Sequence, residues 1–167
     1  MLTKLPVFLL AASFIAMSAA SAEVGKEVHF RSFDAEETKI RGELFRPAAS
    51  ARHAAIVMMH GCSGLYTKSG KMRTNSAAWV GRFRQWGYVV LVVDGFTPRG
   101  FRTICTKRSR PIHSLDDRPF DAYGGLAWLK KQPFVKKDKI ALVGWSNGAM
   151  AALSAVRRNK AEYFGEG

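Results

Sequence analysis

Histidine is scarce in this 167-residue chain. There are four, and none follows Ser146. Cysteine is scarcer still, with only Cys62 and Cys105, and their spacing gives no metal site. Acidic residues number 13 against 26 basic ones, for a formal net charge of +13. Such a balance raises nucleic-acid binding as a function. The basic residues are dispersed, however, and the densest group, Arg99, Arg102, Lys107, Arg108 and Arg110, lacks the aromatic interleaving of a single-strand binder. A solvated basic surface is the better account, and no nucleic-acid partner is expected. Beyond the first residues, no apolar run approaches the roughly 20 residues of a membrane-spanning helix.

The N-terminus has the features of an export signal. Lys4 supplies a positive start, Leu5 to Ala16 is mostly apolar, and Ala20-Ser21-Ala22 fits a small-residue cleavage pattern. Residues 1–22 are therefore expected to be a signal peptide, and residues 23–167 one domain, periplasmic or secreted. The other reading is an uncleaved anchor.

After the signal, Glu27 to Phe33 and Lys39 to Phe45 alternate as a strand pair around a polar turn, an antiparallel hairpin. Ala54 to Met59, Tyr88 to Val93 and Ile140 to Val143 are continuous apolar runs, as in strands covered on both faces. Helices are expected from Asn75 or Ser76 to Trp86, from Asp121 to Lys131, and from Asn147 to about Asn159. Between them, residues 95–118 form a long irregular stretch, and stretches of this length are often functional. Alternating strands and helices imply an α/β, doubly wound, mostly parallel sheet. Ligands bind such sheets beyond the carboxyl ends of the strands, where His60, Asp94 and Ser146 all fall.

Gly144-Trp145-Ser146-Asn147-Gly148 matches G-x-S-x-G between a strand and a helix. That turn presents a serine hydroxyl in strained geometry, and the two glycines let strand, turn and helix pass closely. The plainer alternative is a serine that only caps the helix. The second motif is His60-Gly61-Cys62-Ser63-Gly64, a glycine-rich loop after the first buried strand. It can aim the Cys62 backbone N–H at the oxyanion of a tetrahedral intermediate, with Asn147 N–H as second donor. The plainer alternative is a turn with no ligand. Gly61 and Gly64 shape that loop as Gly144 and Gly148 shape the serine turn.

The segments "AAIVMMHGCSGL", "FRQWGYVVLVVDGFTPRG" and "DAYGGLAWLKKQPFVKKDKIALVGWSNGA" resemble the dienelactone hydrolase family of the α/β-hydrolase superfamily, in order and spacing. The resemblance covers roughly residues 26–158. It implies an α/β-hydrolase fold and hydrolysis of a small-molecule ester or lactone through an acyl-enzyme, without cofactor or metal. Dienelactone hydrolases proper have cysteine as nucleophile, and this chain has Ser146. Cys62 and Cys105 fall on loops after two strands that are neighbours in this fold. A disulfide between them is one expectation, two unpaired thiols the other.

In α/β-hydrolases the triad acid and histidine follow the nucleophile. After Ser146 the sequence offers only Glu162 and Glu166, so the expectation is a C-terminally truncated domain lacking its last strands. An upstream substitute base would be His113, with Asp116 behind it. His60 is expected to shape its loop, His29 and His53 to lie at the surface, Asp94 to anchor a loop. Arg99 and Arg102 are expected either to be solvated or to hold an anionic substrate. A strand edge left open at the serine strand invites self-association. Three readings result: an exported serine hydrolase, a catalytically impaired remnant or binding module, and an envelope-associated basic protein with idle motifs.

Overall fold

The computed structural model describes residues 25–49 and 51–165. The expected signal peptide, residues 1–22, lies outside the described residues.

Five strands form one sheet in the order β1-β2-β4-β3-β5. The first two, β1 (Lys26–Arg31) and β2 (Lys39–Phe45), are the antiparallel hairpin, and β2 joins β4 (Val89–Asp94) antiparallel. The interior strand β3 (His53–Met59) pairs parallel with β4 on one side and with β5 (Val135–Gly144) on the other. All six residues of β4 are buried. That matches its unbroken apolar run, because a central parallel strand is covered on both faces.

The covering is two-sided. Helix α1 (Thr74–Gln85) packs Val80 and Phe83 against Ile56, Met58, Val90 and Val92 on one face. On the other, α2 (Arg118–Lys130) and α3 (Asn147–Ala155) bring Ala122, Leu129 and Ala151 onto Val57, Met59, Leu91 and Val93. Alternate residues of each strand feed opposite faces, the period-two rule of a pleated sheet. Residues 96–112 build a satellite core of Phe96, Ile104 and Ile112 over the carboxyl ends of the strands.

Several boundaries differ from the sequence expectation. Helix α1 begins at Thr74, and its cap position is Arg73 without a side-chain bond, so neither Asn75 nor Ser76 caps it. Helix α2 begins three residues early, at Arg118. Pro119 sits in its first turn, where the missing N–H costs no hydrogen bond. Strand β5 reaches back to Val135, which pairs with His53, and the exposed residues Lys136 to Lys139 carry no apolar pattern to mark it. The last helix is two: Arg157 takes an extended conformation, and α4 (Arg158–Phe164) restarts after it.

Candidate active site

Strand β5 ends at Gly144 and α3 starts at Asn147, so the chain reverses within two residues. Ser146 absorbs that reversal at φ 51°, ψ −119°. Among the described residues only Glu37 and Ser146 hold positive φ without being glycine. Such a conformation costs on the order of 1–3 kcal/mol and persists only where surroundings enforce it. The enforcement is visible. Trp145 N–H donates to the Met59 carbonyl (3.3 Å), and Gly148 N–H to the Trp145 carbonyl (2.8 Å). A Cβ on Gly144 would lie 2.2 Å from the Gly148 carbonyl oxygen, so that position has no room for one. Ser146 is exposed and makes no side-chain cap bond to its helix. Its hydroxyl is presented outward at the N-terminus of α3, where the helix dipole favours negative charge.

The loop after β3 lies directly against this turn. A Cβ on Gly61 would sit 3.5 Å from the Ser146 Cβ and 3.4 Å from the Trp145 carbonyl oxygen. Cys62 N–H has no acceptor among the described residues, and Asn147 N–H belongs to the free first turn of α3. Neither N–H is therefore spent on a backbone hydrogen bond among the described residues. Gly64, at φ 80°, lets the loop close: a Cβ there would fall 1.9 Å from the Arg102 carbonyl oxygen. The loop is also tied outward. Ile104 N–H donates to the Cys62 carbonyl (2.9 Å), and Cys62 Sγ is bonded to Cys105 Sγ across 43 residues of sequence.

His60 is wholly enclosed. Its Nδ1 pairs with the Gly61 carbonyl at 2.8 Å, and Phe96 meets the ring edge-on at 4.5 Å between centroids. Burial, reinforced by the nearby Arg118 charge, pushes the imidazole down to about 3. The folded protein therefore holds His60 neutral, whereas the unfolded chain protonates it below about pH 6.5. Stability on this account is complete above pH 6.5 and is lost as pH falls toward 3. By pH 5 the loss is about 2 kcal/mol. Urea unfolding at pH 7 and pH 5 checks this: His60→Gln should shrink the difference by that amount, and an unchanged difference refutes it.

The other histidines stand apart from the serine. His29 is exposed beside Glu27 (3.5 Å). His53 is half-buried rather than superficial, bridging the Gly87 and Ala49 carbonyls. His113 is exposed, and its backbone N–H donates to the Asp117 carboxylate at 2.6 Å. Among the described residues no hydrogen bond joins the Ser146 hydroxyl to a histidine. Asp94 is buried and accepts from Phe96 N–H, Thr97 N–H and Arg41, so it anchors the loop after β4.

Arg99 corrects the sequence reading. It is neither solvated nor free for substrate: its two terminal nitrogens donate to Asp121 at 3.0 and 2.9 Å, and Nη2 also to Asp34 at 2.7 Å. Burial opposes its charge, but these carboxylates hold the guanidinium above its ordinary value. Arg102 stays exposed and borders a cleft with Glu27, Arg41, Glu43 and Tyr66.

Solved structures with this fold include hydrolases. A dienelactone hydrolase-like promiscuous phosphotriesterase from metagenomic libraries superposes with a TM-score of 0.58 at 19% identity, over 80% of this chain and 54% of that one. An esterase gives 0.61 at 19% identity, covering 83% and 40%. A thermostable carboxylesterase gives 0.55 at 22%, covering 85% and 45%. The chain has the α/β-hydrolase fold. Among curated proteins, the chain is similar to probable dipeptidyl-aminopeptidases B. That of Arthroderma otae is 30% identical over 117 residues, 68% of this chain and 12% of the relative. That of Arthroderma gypseum is 28% identical over 144 residues, 82% and 15%. The chain thus spans about an eighth of these relatives and about half of the solved neighbours. No family model matches it.

Sequence reasoning missed one member of the site. Arg118 is the largest fully buried side chain among the described residues, and it lies beneath the serine turn. It stands at the end of a polar loop in the sequence, where periodicity gives a charged residue no reason to be inside.

Proposed function

We propose that this chain carries the nucleophile and the oxyanion hole of an exported serine hydrolase of dienelactone hydrolase type, acting on an ester or lactone. The observation that carries the reading is Ser146 at φ 51°, exposed, with its hydroxyl uncommitted and a glycine-rich loop against it. In the reaction, Ser146 Oγ bonds to the acyl carbon and the carbonyl electron pair moves to oxygen. The Cys62 and Asn147 N–H groups receive that oxyanion. Collapse expels the alcohol, which takes up the serine proton, and water then cleaves the acyl-enzyme. The reaction also needs a base to carry the serine proton, and none is hydrogen-bonded to Ser146 among the described residues. Export is supported by residues 1–22 of the sequence and by the Cys62–Cys105 bond, which suits an oxidising compartment.

The test is covalent labelling. With a fluorophosphonate the chain should gain one phosphonyl group at Ser146, releasing fluoride, and Ser146→Ala should gain none. Turnover of 4-nitrophenyl acetate should fall at least about 10²-fold in that variant. A chain that neither labels nor turns over favours the second reading, a catalytically impaired remnant or binding module. What favours that second reading now is that no described histidine is bonded to Ser146.

We also propose that the open edge at β5 drives self-association. β5 is the last strand of the sheet, and Ile140 and Leu142 border an apolar cleft with Leu126, Ala155 and Val156. Val156 in that lining is 64% exposed, and Leu153 on α3 is 71% exposed. Light scattering should find a species larger than the monomer, and Ala141→Lys, a charge on the edge, should return it to monomer. A monomeric wild type at high concentration would refute this.

A further inference from the structure

We propose that Arg118 is a positioning residue for the oxyanion hole, holding its two halves in register from below. This rests on the serine hydrolase reading above. The oxyanion donors come from separate elements, Cys62 on the loop after β3 and Asn147 on the first turn of α3. One atom joins these elements. Arg118 Nη1 donates to the His60 carbonyl at 2.7 Å and to the Asn147 Oδ1 at 2.6 Å. His60 is two residues before Cys62, and Asn147 is itself a donor residue. A single nitrogen bonded to both fixes their separation, and α2, whose first residue is Arg118, supplies the rigid base.

Arg118 is poorly placed for stability alone. It is 0% exposed, and its two hydrogen-bond acceptors are both neutral. Its Nε and Nη2, with His60 Nε2 and Asn147 Nδ2, have no partner among the described residues. Burial pulls the guanidinium down to about 10 against the attraction of Asp121 and Asp94. An apolar side chain of similar volume would often serve packing as well or better. The guanidinium instead rests on the Phe96 face (4.9 Å), the same ring that contacts His60. What this costly placement secures is geometry at the turn and at the loop, and an oxyanion hole depends on placement within a fraction of an ångström.

The test uses the full chain with Arg118→Met, matched in length and apolar, and Arg118→Lys, which keeps the charge but not the fork. Three quantities are read: the urea midpoint, kcat and KM separately on 4-nitrophenyl acetate, and amide exchange at Gly64 and Gly148. Those two amides close the loop and the turn. In Arg118→Met, kcat should fall about 10- to 100-fold with KM within about twofold, the pattern of an interaction made only in the transition state. Exchange at Gly64 and Gly148 should quicken while β4 amides stay protected. Arg118→Lys should recover only part of kcat.

Should Arg118→Met not fold, Asn147→Ala deletes the Oδ1 acceptor and keeps the N–H. It should lower kcat in the same KM-independent way. Unchanged kcat in a folded variant overturns the positioning role and leaves the hydrolase reading standing. A wild type without Ser146-dependent turnover overturns the hydrolase reading and the role of Arg118 together. Equal losses in kcat and urea midpoint, with exchange quickened throughout the sheet, mark a merely structural residue and also overturn the proposal.

Discussion

Gly148→Ala should prevent the chain from folding stably, although it adds only one methyl group. The new Cβ would lie 2.3 Å from the Met59 carbonyl oxygen and 2.7 Å from that of His60. Both are backbone atoms at the end of β3, so no side-chain rotation relieves the overlap. Either α3 lifts from β3, or the serine turn opens. The expected cost is about 3 kcal/mol or more, at the upper end of overpacking effects. Gly81 supplies the control. It lies within α1, and a Cβ there meets nothing within 4 Å, so Gly81→Ala should stabilise by about 0.5–1 kcal/mol through helix propensity. Urea unfolding of the two variants side by side is the measurement. A Gly148→Ala protein within about 1 kcal/mol of wild type would mean that β3 and α3 do not approach as described.

Asp121→Ala should cost about 3–5 kcal/mol, the range for breaking a buried ion pair from one side. Asp121 is 0% exposed, accepts two bonds from Arg99, and takes a third from the Ser32 hydroxyl at 2.8 Å. This carboxylate joins α2 to the loop after β4. Through Ser32 and Asp34 the network also reaches the chain that follows β1. The fit is tight: a Cβ on Gly95 would come within 2.4 Å of Asp121 Oδ2. Removing the carboxylate leaves the Arg99 guanidinium, 16% exposed, with Asp34 as its carboxylate partner. Arg99→Met combined with Asp121→Leu should recover much of the loss, because an apolar pair carries no stranded charge. A double-mutant cycle reads this directly, and additive single losses would show that the two residues are not coupled.

The two predictions mark different kinds of legibility. The glycines of the serine turn could be read in the sequence because G-x-S-x-G is a local arrangement, settled within five residues by backbone sterics. The three parallel strands were legible for a related reason, since strands buried on both faces need unbroken apolar runs. Residues 136–139 were not legible as strand. They lie on an open edge, and solvent imposes no pattern on the side chains it meets.

The charged residues under the site show the sharpest division. Arg99, Arg118 and Asp121 lie in or beside a polar, irregular stretch, and composition alone places such residues at the surface. Arg99 and Arg118 reach Asp34, His60 and Asn147, between 29 and 65 residues away, and Asp121 reaches Ser32, 89 residues away. Only the packed fold brings those atoms together, and only there does exclusion of water turn a routine charge into a constraint. The sequence alone determined the sheet, the serine and the loop facing it, because short-range sterics and apolar periodicity decide them. The tertiary structure alone decided which buried charges hold these parts in place, because electrostatic pairing depends on distance in space and not along the chain.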